Sequence, residues 1–371
     1  MKTLSGRPSG ISEEILGKVT RKRSFFRGGK NTIFAAEDDA EFLRGYAAVL
    51  TDKNACPVKG AAVTSVGGLS ELHEGDVVAV SPKGIIRVLY DSCTSQHALL
   101  VTERCNHRCI MCPQPIVREE HDNTAFNLKL ISLFDRISGN ICLTGGEPTL
   151  IGDDLFVLIR AIWRRAPKAS VSVLTNGVRF ADYDYARRFA DIQHPDLQVE
   201  IPLYADTDIG HNRIVGAETF YKTIQGFFNL ARLHQRIGLR VVIHRQTCGR
   251  LPQLAEFIYR NLPFVWHVMF MHLEPEGLAK ENIAALWIDP YDCNPALQKA
   301  VLYLSRRNMH VSIYNAQLCI LPNALRPFAR QSISEWKRVY LPTCAGCGKK
   351  EGCAGFFASA SRYHSSHIAP F

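Results

Sequence analysis

From residue 98 onward short apolar runs alternate with longer amphipathic ones. No other feature of the chain restricts its fold as much. ALLVTE (98–103), NICLTGG (140–146), SVSVLTNG (170–177), LQVEIPLY (197–204), LRVVIHR (239–245) and HVMFMHLE (267–274) read as buried strands. Segments 127–137, 153–166, 182–191, 217–237, 251–260 and 295–307 carry the 3.6-residue period of helices. Six β-α units in succession require a parallel sheet with helical crossovers. The fold class expected is α/β over 98–315, the sheet either open or closed into a partial (β/α)6 TIM-like barrel.

The flanks differ. GDVVAV (75–80) and GIIRVLY (84–90) read as a hairpin, so 31–97 is expected to be a small β-rich module. Residues 1–30 hold eight Lys/Arg against Glu13 and Glu14, much of the net charge of +9. They are expected to form a basic, flexible arm, solvated or docked on nucleic acid or an acidic peptide. Residues 316–371 are loop-rich and form a fourth segment. No stretch approaches the ~18 apolar residues of a membrane span, and the first residues lack the apolar core of a signal peptide. The expected location is the cytoplasm, with no membrane partner.

Twelve cysteines are many for a cytoplasmic chain, where disulfides are rare and metal or redox chemistry is the usual use. Cys56, Cys93, Cys142, Cys248 and Cys293 are scattered and read as small buried hydrophobes. The other seven form two groups. Cys105, Cys109 and Cys112, spaced C-x3-C-x2-C, directly follow the first strand, where the loops of a β/α barrel build the active face. Zinc in a structural site takes four ligands, and His107 is the local fourth. Three thiolates on a four-iron cube leave one iron open. The second group, Cys344, Cys347 and Cys353, is spaced C-x2-C-x5-C. Cys319 is its expected fourth ligand and Cys293 the second choice, for zinc or iron.

The first strand's C-x3-C-x2-C, followed by LTGGEPTL (143–150) after the second strand, resembles the radical S-adenosylmethionine (SAM) enzymes. That resemblance implies that Cys105, Cys109 and Cys112 hold a [4Fe-4S] cluster whose open iron chelates SAM. It implies that Gly145 and Gly146 lie against the methionine moiety and that Glu147 binds its amino group. Thr175 and Asn176 of LTNG (174–177) are further candidates for SAM or substrate contact, or a plain turn. The reaction implied is reductive cleavage of SAM to methionine and a 5′-deoxyadenosyl radical, which takes a hydrogen atom from substrate. It needs no basic catalytic residue, and none is assigned. Tyr204, Asp206, Asp208, His211, Asn212, Arg245 and Glu274 fall on the expected mouth, Glu274 foremost.

The second cysteine group resembles the shortened auxiliary-cluster module, called twitch, of radical SAM peptide-modifying enzymes, which implies one auxiliary [4Fe-4S] cluster. CIMCPQP (109–115), LEP (273–275), LWIDP (286–290), IYN and LC (313–319), and SISEWK through CAGFF (332–357) resemble the His-Xaa-Ser system maturases. This implies a ribosomally made peptide or protein substrate with His-Xaa-Ser repeats, a second radical SAM protein as partner, and an electron donor such as flavodoxin or ferredoxin. His364-Ser365-Ser366 matches that repeat by chance. Two alternatives stand beside it: a radical SAM enzyme acting on RNA or a nucleoside, and a non-enzymatic zinc-binding interaction protein.

Overall fold

The computed structural model describes all residues except 1, 23–28, 37–44, 55–59, 115–122, 136–138, 332–337 and 358–361. Cys56, Arg23, Arg27 and the SISEWK tract therefore lie outside the described residues. The chain divides into two compact units. The first comprises Met1–His97, Asn123–Ile141 and Val157–Ser170, the second the remainder. The units thus interleave along the chain, unlike the consecutive segments expected.

The first unit carries an eight-stranded mixed sheet. Its strands are β1 (Thr3–Ser5), β2 (Arg7–Ser9), β3 (Ile15–Thr20), β4 (Thr32–Ala36), β5 (Ala48–Thr51), β6 (Ala62–Thr64), β7 (Val77–Val80) and β8 (Ile85–Tyr90). Their order is β1-β8-β7-β3-β4-β5-β6-β2. The expected hairpin is the antiparallel β7–β8 pair. The flexible arm is a misreading: residues 3–20 supply three strands. β1 and β2 lie at opposite edges of the sheet, yet only Gly6 separates them. Three residues span about 7 Å between their outer Cα atoms, so the sheet must roll until its edges meet. A Cβ on Gly6 would lie 2.5 Å from Thr64 O, which is why glycine occupies the seam. Leu4, Val19, Ile33, Leu50, Val63, Val78, Val80 and Ile86 fill one core. A strand needs apolar residues only on its inner face. The basic residues take outer positions, where Lys18 pairs with Asp135 and Lys2 reaches Glu71.

The second sheet runs β15-β14-β13-β12-β11-β10-β9, with neighbours in sequence adjacent in space. Its strands are β9 (Gln96–Thr102), β10 (Asn140–Gly145), β11 (Ser170–Leu174), β12 (Leu197–Pro202), β13 (Arg236–Ile243), β14 (His267–His272) and β15 (Val311–Tyr314). The pairs from β11 to β15 are parallel. A sequential order without a reversal is the winding of a barrel rather than of a doubly wound sheet. The fold is an α/β partial TIM-like barrel, as expected, with a seventh strand that the sequence reading missed. The helices are α1 (Thr124–Leu133), α2 (Asp154–Arg165), α3 (Tyr183–Ala190), α4 (Asp208–Val215), α5 (Phe220–Arg232), α6 (Arg245–Cys248), α7 (Leu251–Asn261), α8 (Leu278–Glu281), α9 (Ile283–Leu286) and α10 (Asn294–Ser305). Among the described residues, no helix is long and apolar enough to cross a membrane.

Local chemistry sets the elements that position the site. Asp182 caps α3 by accepting from Asp184 N (3.0 Å) and Tyr185 N (3.3 Å). The helix then buries Tyr185 and Phe189 against Phe156 and Phe180. Each such ring contributes about 1.5–3 kcal/mol of burial. Thr207 caps α4 through Gly210 N, and Gly216 (φ 65°) ends it. The helix expected over 217–237 stops at Arg232, because His234 takes a left-handed φ of 55° and turns the chain into β13.

Candidate functional site

The cysteine loop leaves the end of β9 and is tied down from several sides within the second unit. Arg108 N donates to Val215 O (2.9 Å) and Ile110 N to Ile214 O (3.0 Å), so the loop lies along the end of α4. Leu278 N donates to Cys112 O (2.8 Å) and Asn282 Nδ2 to Ile110 O (3.0 Å), fastening it to α8. Met111 is buried among Ile214, Leu273, Ala279 and Leu286. This apolar packing answers why a methionine serves before the third cysteine.

Cys105 is exposed, and Cys109 and Cys112 are half-buried. Burial pushes the Cys109 thiol up to about 12, helped by the neighbouring sulfurs of Cys112 and Cys105. Cys105 is raised by the same cause. Three soft donors on one loop, two of them, Cys105 and Cys109, with thiols raised by burial, make a donor set that calls for a cation. Thiolate ligation of an iron-sulfur cluster satisfies that chemistry. His107, the local candidate for a fourth zinc ligand, has Nε2 3.0 Å from Thr219 Oγ1. Burial lowers its pKa to about 4, so the ring is neutral.

The GGEP tract sits beside this loop, and its residues have partners within the chain. Gly146 N donates to Thr102 O (2.8 Å) and Glu147 N to Arg104 O (2.7 Å). A Cβ on either glycine would lie 2.2 Å from a backbone oxygen, Thr102 O for Gly145 and Arg104 O for Gly146. The glycines therefore admit the backbone that leads into the cysteine loop. Glu147, the residue expected to bind an ammonium, is 1 % exposed. Oε1 accepts from Thr149 N (3.0 Å), Thr149 Oγ1 (2.6 Å) and Thr175 Oγ1 (2.6 Å), and Oε2 from Asn176 N (2.6 Å). Burial raises its pKa against the pull of these donors.

Thr175 and Asn176 are likewise used internally. Asn176 Nδ2 donates to Asn106 Oδ1 (2.6 Å), which joins the loop after β11 to the cysteine loop. Its Oδ1 accepts from Val178 N (3.0 Å), and its backbone oxygen from Thr223 Oγ1 (3.2 Å). The five expected SAM-contact residues thus gather in one place, where Glu147, Thr175 and Asn176 clamp three loop ends together. Asn106, which joins the clamp to the cysteine loop, carries no motif signal in the sequence, and Thr149 lies within LTGGEPTL without being singled out by it.

Of the mouth residues, Asp206 forms a two-point ion pair with Arg250 (2.9 and 2.5 Å). Asn212 Oδ1 accepts from Thr219 N and Phe220 N (both 3.0 Å). His211 is buried and stacks on Tyr204. Asp208 opens α4, Arg245 Nε donates to Trp287 O (2.9 Å), and Glu274 is half-buried after β14. The sequence reading passed over an ion pair on adjacent strands, Glu200 with Arg240 (3.6 Å), although polar residues alternating through LQVEIP were its signal.

The second cysteine group converges. Cys319, Cys344, Cys347 and Cys353 line one common cavity with Gln317, Tyr340 and Phe356. Burial raises the Cys319 thiol, with Cys353 and Cys344 close enough to add to the shift. Tyr340 Oη donates to Lys350 O (2.9 Å), and Gln317 Nε2 to Gly355 O (2.7 Å). Cys293, the second choice, is instead buried against Cys248. His364-Ser365-Ser366 folds onto the chain itself, with Ser366 donating to Asp289 Oδ2.

The radical SAM superfamily model matches residues 99–258. The GTP 3',8-cyclase of Desulforamulus reducens is 25% identical over 255 residues, 67% of this chain and 75% of that protein. The structure titled native anSMEcpe with bound AdoMet and Kp18Cys peptide has a TM-score of 0.51 at 16% identity, over 74% of this chain and 92% of that one. Its likeness is one of fold. Streptococcus suis SuiB bound to precursor peptide SuiA gives 0.46 at 14% identity over 58% of this chain, and the match spans about half, 48%, of SuiB. A non-enzymatic zinc protein leaves the family match unexplained. Residues 99–258, which hold the cysteine triplet and the GGEP tract, match the radical SAM superfamily model and form a radical SAM domain.

Proposed function

We propose that this radical SAM enzyme modifies a ribosomally made peptide or protein bearing His-Xaa-Ser repeats. The observation that supports the reading best is the cavity lined by Cys319, Cys344, Cys347 and Cys353, residues whose spacing in sequence resembles the auxiliary module of radical SAM peptide-modifying enzymes. In this reading Cys105, Cys109 and Cys112 hold the [4Fe-4S] cluster that SAM joins. The cavity of Cys319, Cys344, Cys347 and Cys353 holds one auxiliary [4Fe-4S] cluster. When bound and reduced, the first cluster supplies the electron that splits SAM and so opens hydrogen abstraction from substrate. The chain's own part is orientation and exclusion of water. The Glu147 clamp fixes the cysteine loop against the ends of β10 and β11, and Met111 seals its apolar side. A flavodoxin- or ferredoxin-type donor and a second radical SAM protein complete the proposed assembly.

A nucleotide substrate is the second reading, favoured by the GTP 3',8-cyclases among the curated relatives. One experiment separates the two. The anaerobically reconstituted chain is given SAM and dithionite with either a His-Xaa-Ser repeat peptide or GTP, and products are weighed by mass spectrometry. A mass change in the peptide and GTP unchanged in both mass and chromatographic retention is expected; an unmodified peptide with a new nucleotide peak, which an intramolecular cyclisation gives at unaltered mass, overturns the proposal. For the auxiliary site, Cys319→Ala or Cys347→Ala should lower iron by about one cluster and leave SAM cleavage uncoupled from substrate. Unchanged iron with bound zinc in wild type would make that site a zinc site instead.

A further inference from the structure

Two loops of the first unit meet at a cluster that radical SAM chemistry does not use. His73 lies just beyond the helical turn Leu69–Glu71, and Asp91 and Cys93 follow β8. One ligand atom from each lies within 4.8 Å of the other two. Imidazole, carboxylate and thiol together suit a borderline-soft divalent ion, and zinc above the harder ions. A tetrahedral zinc holds its ligand atoms about 3.3–3.7 Å apart, so closure takes shifts of about 1 Å. His73 and Cys93 are exposed and Asp91 half-buried, so side-chain rotation supplies those shifts.

The backbone beneath the three is already fixed. Asp76 is 1 % exposed. Its Oδ2 accepts from His73 N (2.8 Å), and its Oδ1 from Ser92 N and Ser92 Oγ (both 2.8 Å). A single buried carboxylate thus ties both ligand-bearing loops. The same Oδ2 lies 3.8 Å from His73 Nδ1. That is beyond hydrogen-bond range, and a small rotation of the ring would bring the carboxylate onto Nδ1 and leave the other nitrogen for the metal, as behind zinc-bound histidines. Cys93 N donates to Asp91 Oδ1 (2.9 Å), which sets thiol and carboxylate side by side. Glu74 is engaged with Thr20 Oγ1 and Arg21 N, so the fourth position falls to water.

We propose that His73, Asp91 and Cys93 bind one zinc ion, independently of the iron sites. The test uses the anaerobically reconstituted full chain, loaded with zinc sulfate and desalted. Zinc and iron are counted, and alkylation of Cys93 is followed by mass spectrometry. One zinc per chain is expected, lost in both Cys93→Ser and His73→Ala with iron unchanged. Zinc should also slow alkylation of Cys93 in wild type and not in His73→Ala. Both side chains are exposed, so neither variant threatens folding. Zinc retained in both variants, or Cys93 alkylated equally with and without zinc, overturns the proposal.

Discussion

Replacing Cys105, Cys109 or Cys112 by alanine reduces 5′-deoxyadenosine formation from SAM and dithionite to the level of an enzyme-free control. Iron content falls by about one cluster, while the Cys319, Cys344, Cys347 and Cys353 cavity keeps its load. The two sites share no residue and are framed by different segments, which is why the losses should separate. The loop itself survives the substitution. Its backbone bonds to Val215, Ile214 and Leu278 involve no cysteine side chain, and Met111 stays buried. Loss of activity in a chain of unaltered circular dichroism then reads as loss of the cluster, not of the fold. Continued 5′-deoxyadenosine formation by any of the three variants sinks the assignment.

The barrel was legible because fully buried strands write themselves as continuous apolar runs, and each was followed by a helical period. β15 escaped because VSIY is four residues long and follows α10 without a distinct break signal. α4 escaped for the opposite reason: DIGHNRIV holds a glycine and few apolar residues, and its stability comes from caps at Thr207 and Gly216. In the first unit, charge masked topology. A count of lysines and arginines ignores strand alternation, so residues that close the eight-stranded sheet looked like an arm. At the site, motif and spacing singled out residues that gather in one place in the fold, but not the partners their atoms find within the chain. Nothing in GGEP tells whether Glu147 points outward to a ligand or inward to Thr149, Thr175 and Asn176. That choice is made by partners far apart in sequence.

The inward choice predicts a large effect on stability. Glu147→Ala leaves two buried backbone donors, Thr149 N and Asn176 N, without an acceptor and unable to turn away. Each unsatisfied group costs about 1–3 kcal/mol, so the loss expected is about 3–5 kcal/mol together with the lost packing. Glu147→Gln keeps the shape and one acceptor oxygen. Its amide nitrogen then faces either the backbone donor at Asn176 or that at Thr149, and about 1–3 kcal/mol should be lost. A fall in the denaturation midpoint in the order wild type, Gln, Ala reads out the clamp. An ammonium contact would behave otherwise. A charge-assisted bond to SAM contributes about 1.5–3 kcal/mol, so Gln would weaken SAM binding by about 10- to 150-fold while leaving the midpoint where it was. Equilibrium binding of SAM to the reconstituted Gln variant therefore decides between the two. Lowered midpoint with near-wild-type affinity supports the clamp, and an unchanged midpoint with that loss of affinity overturns it.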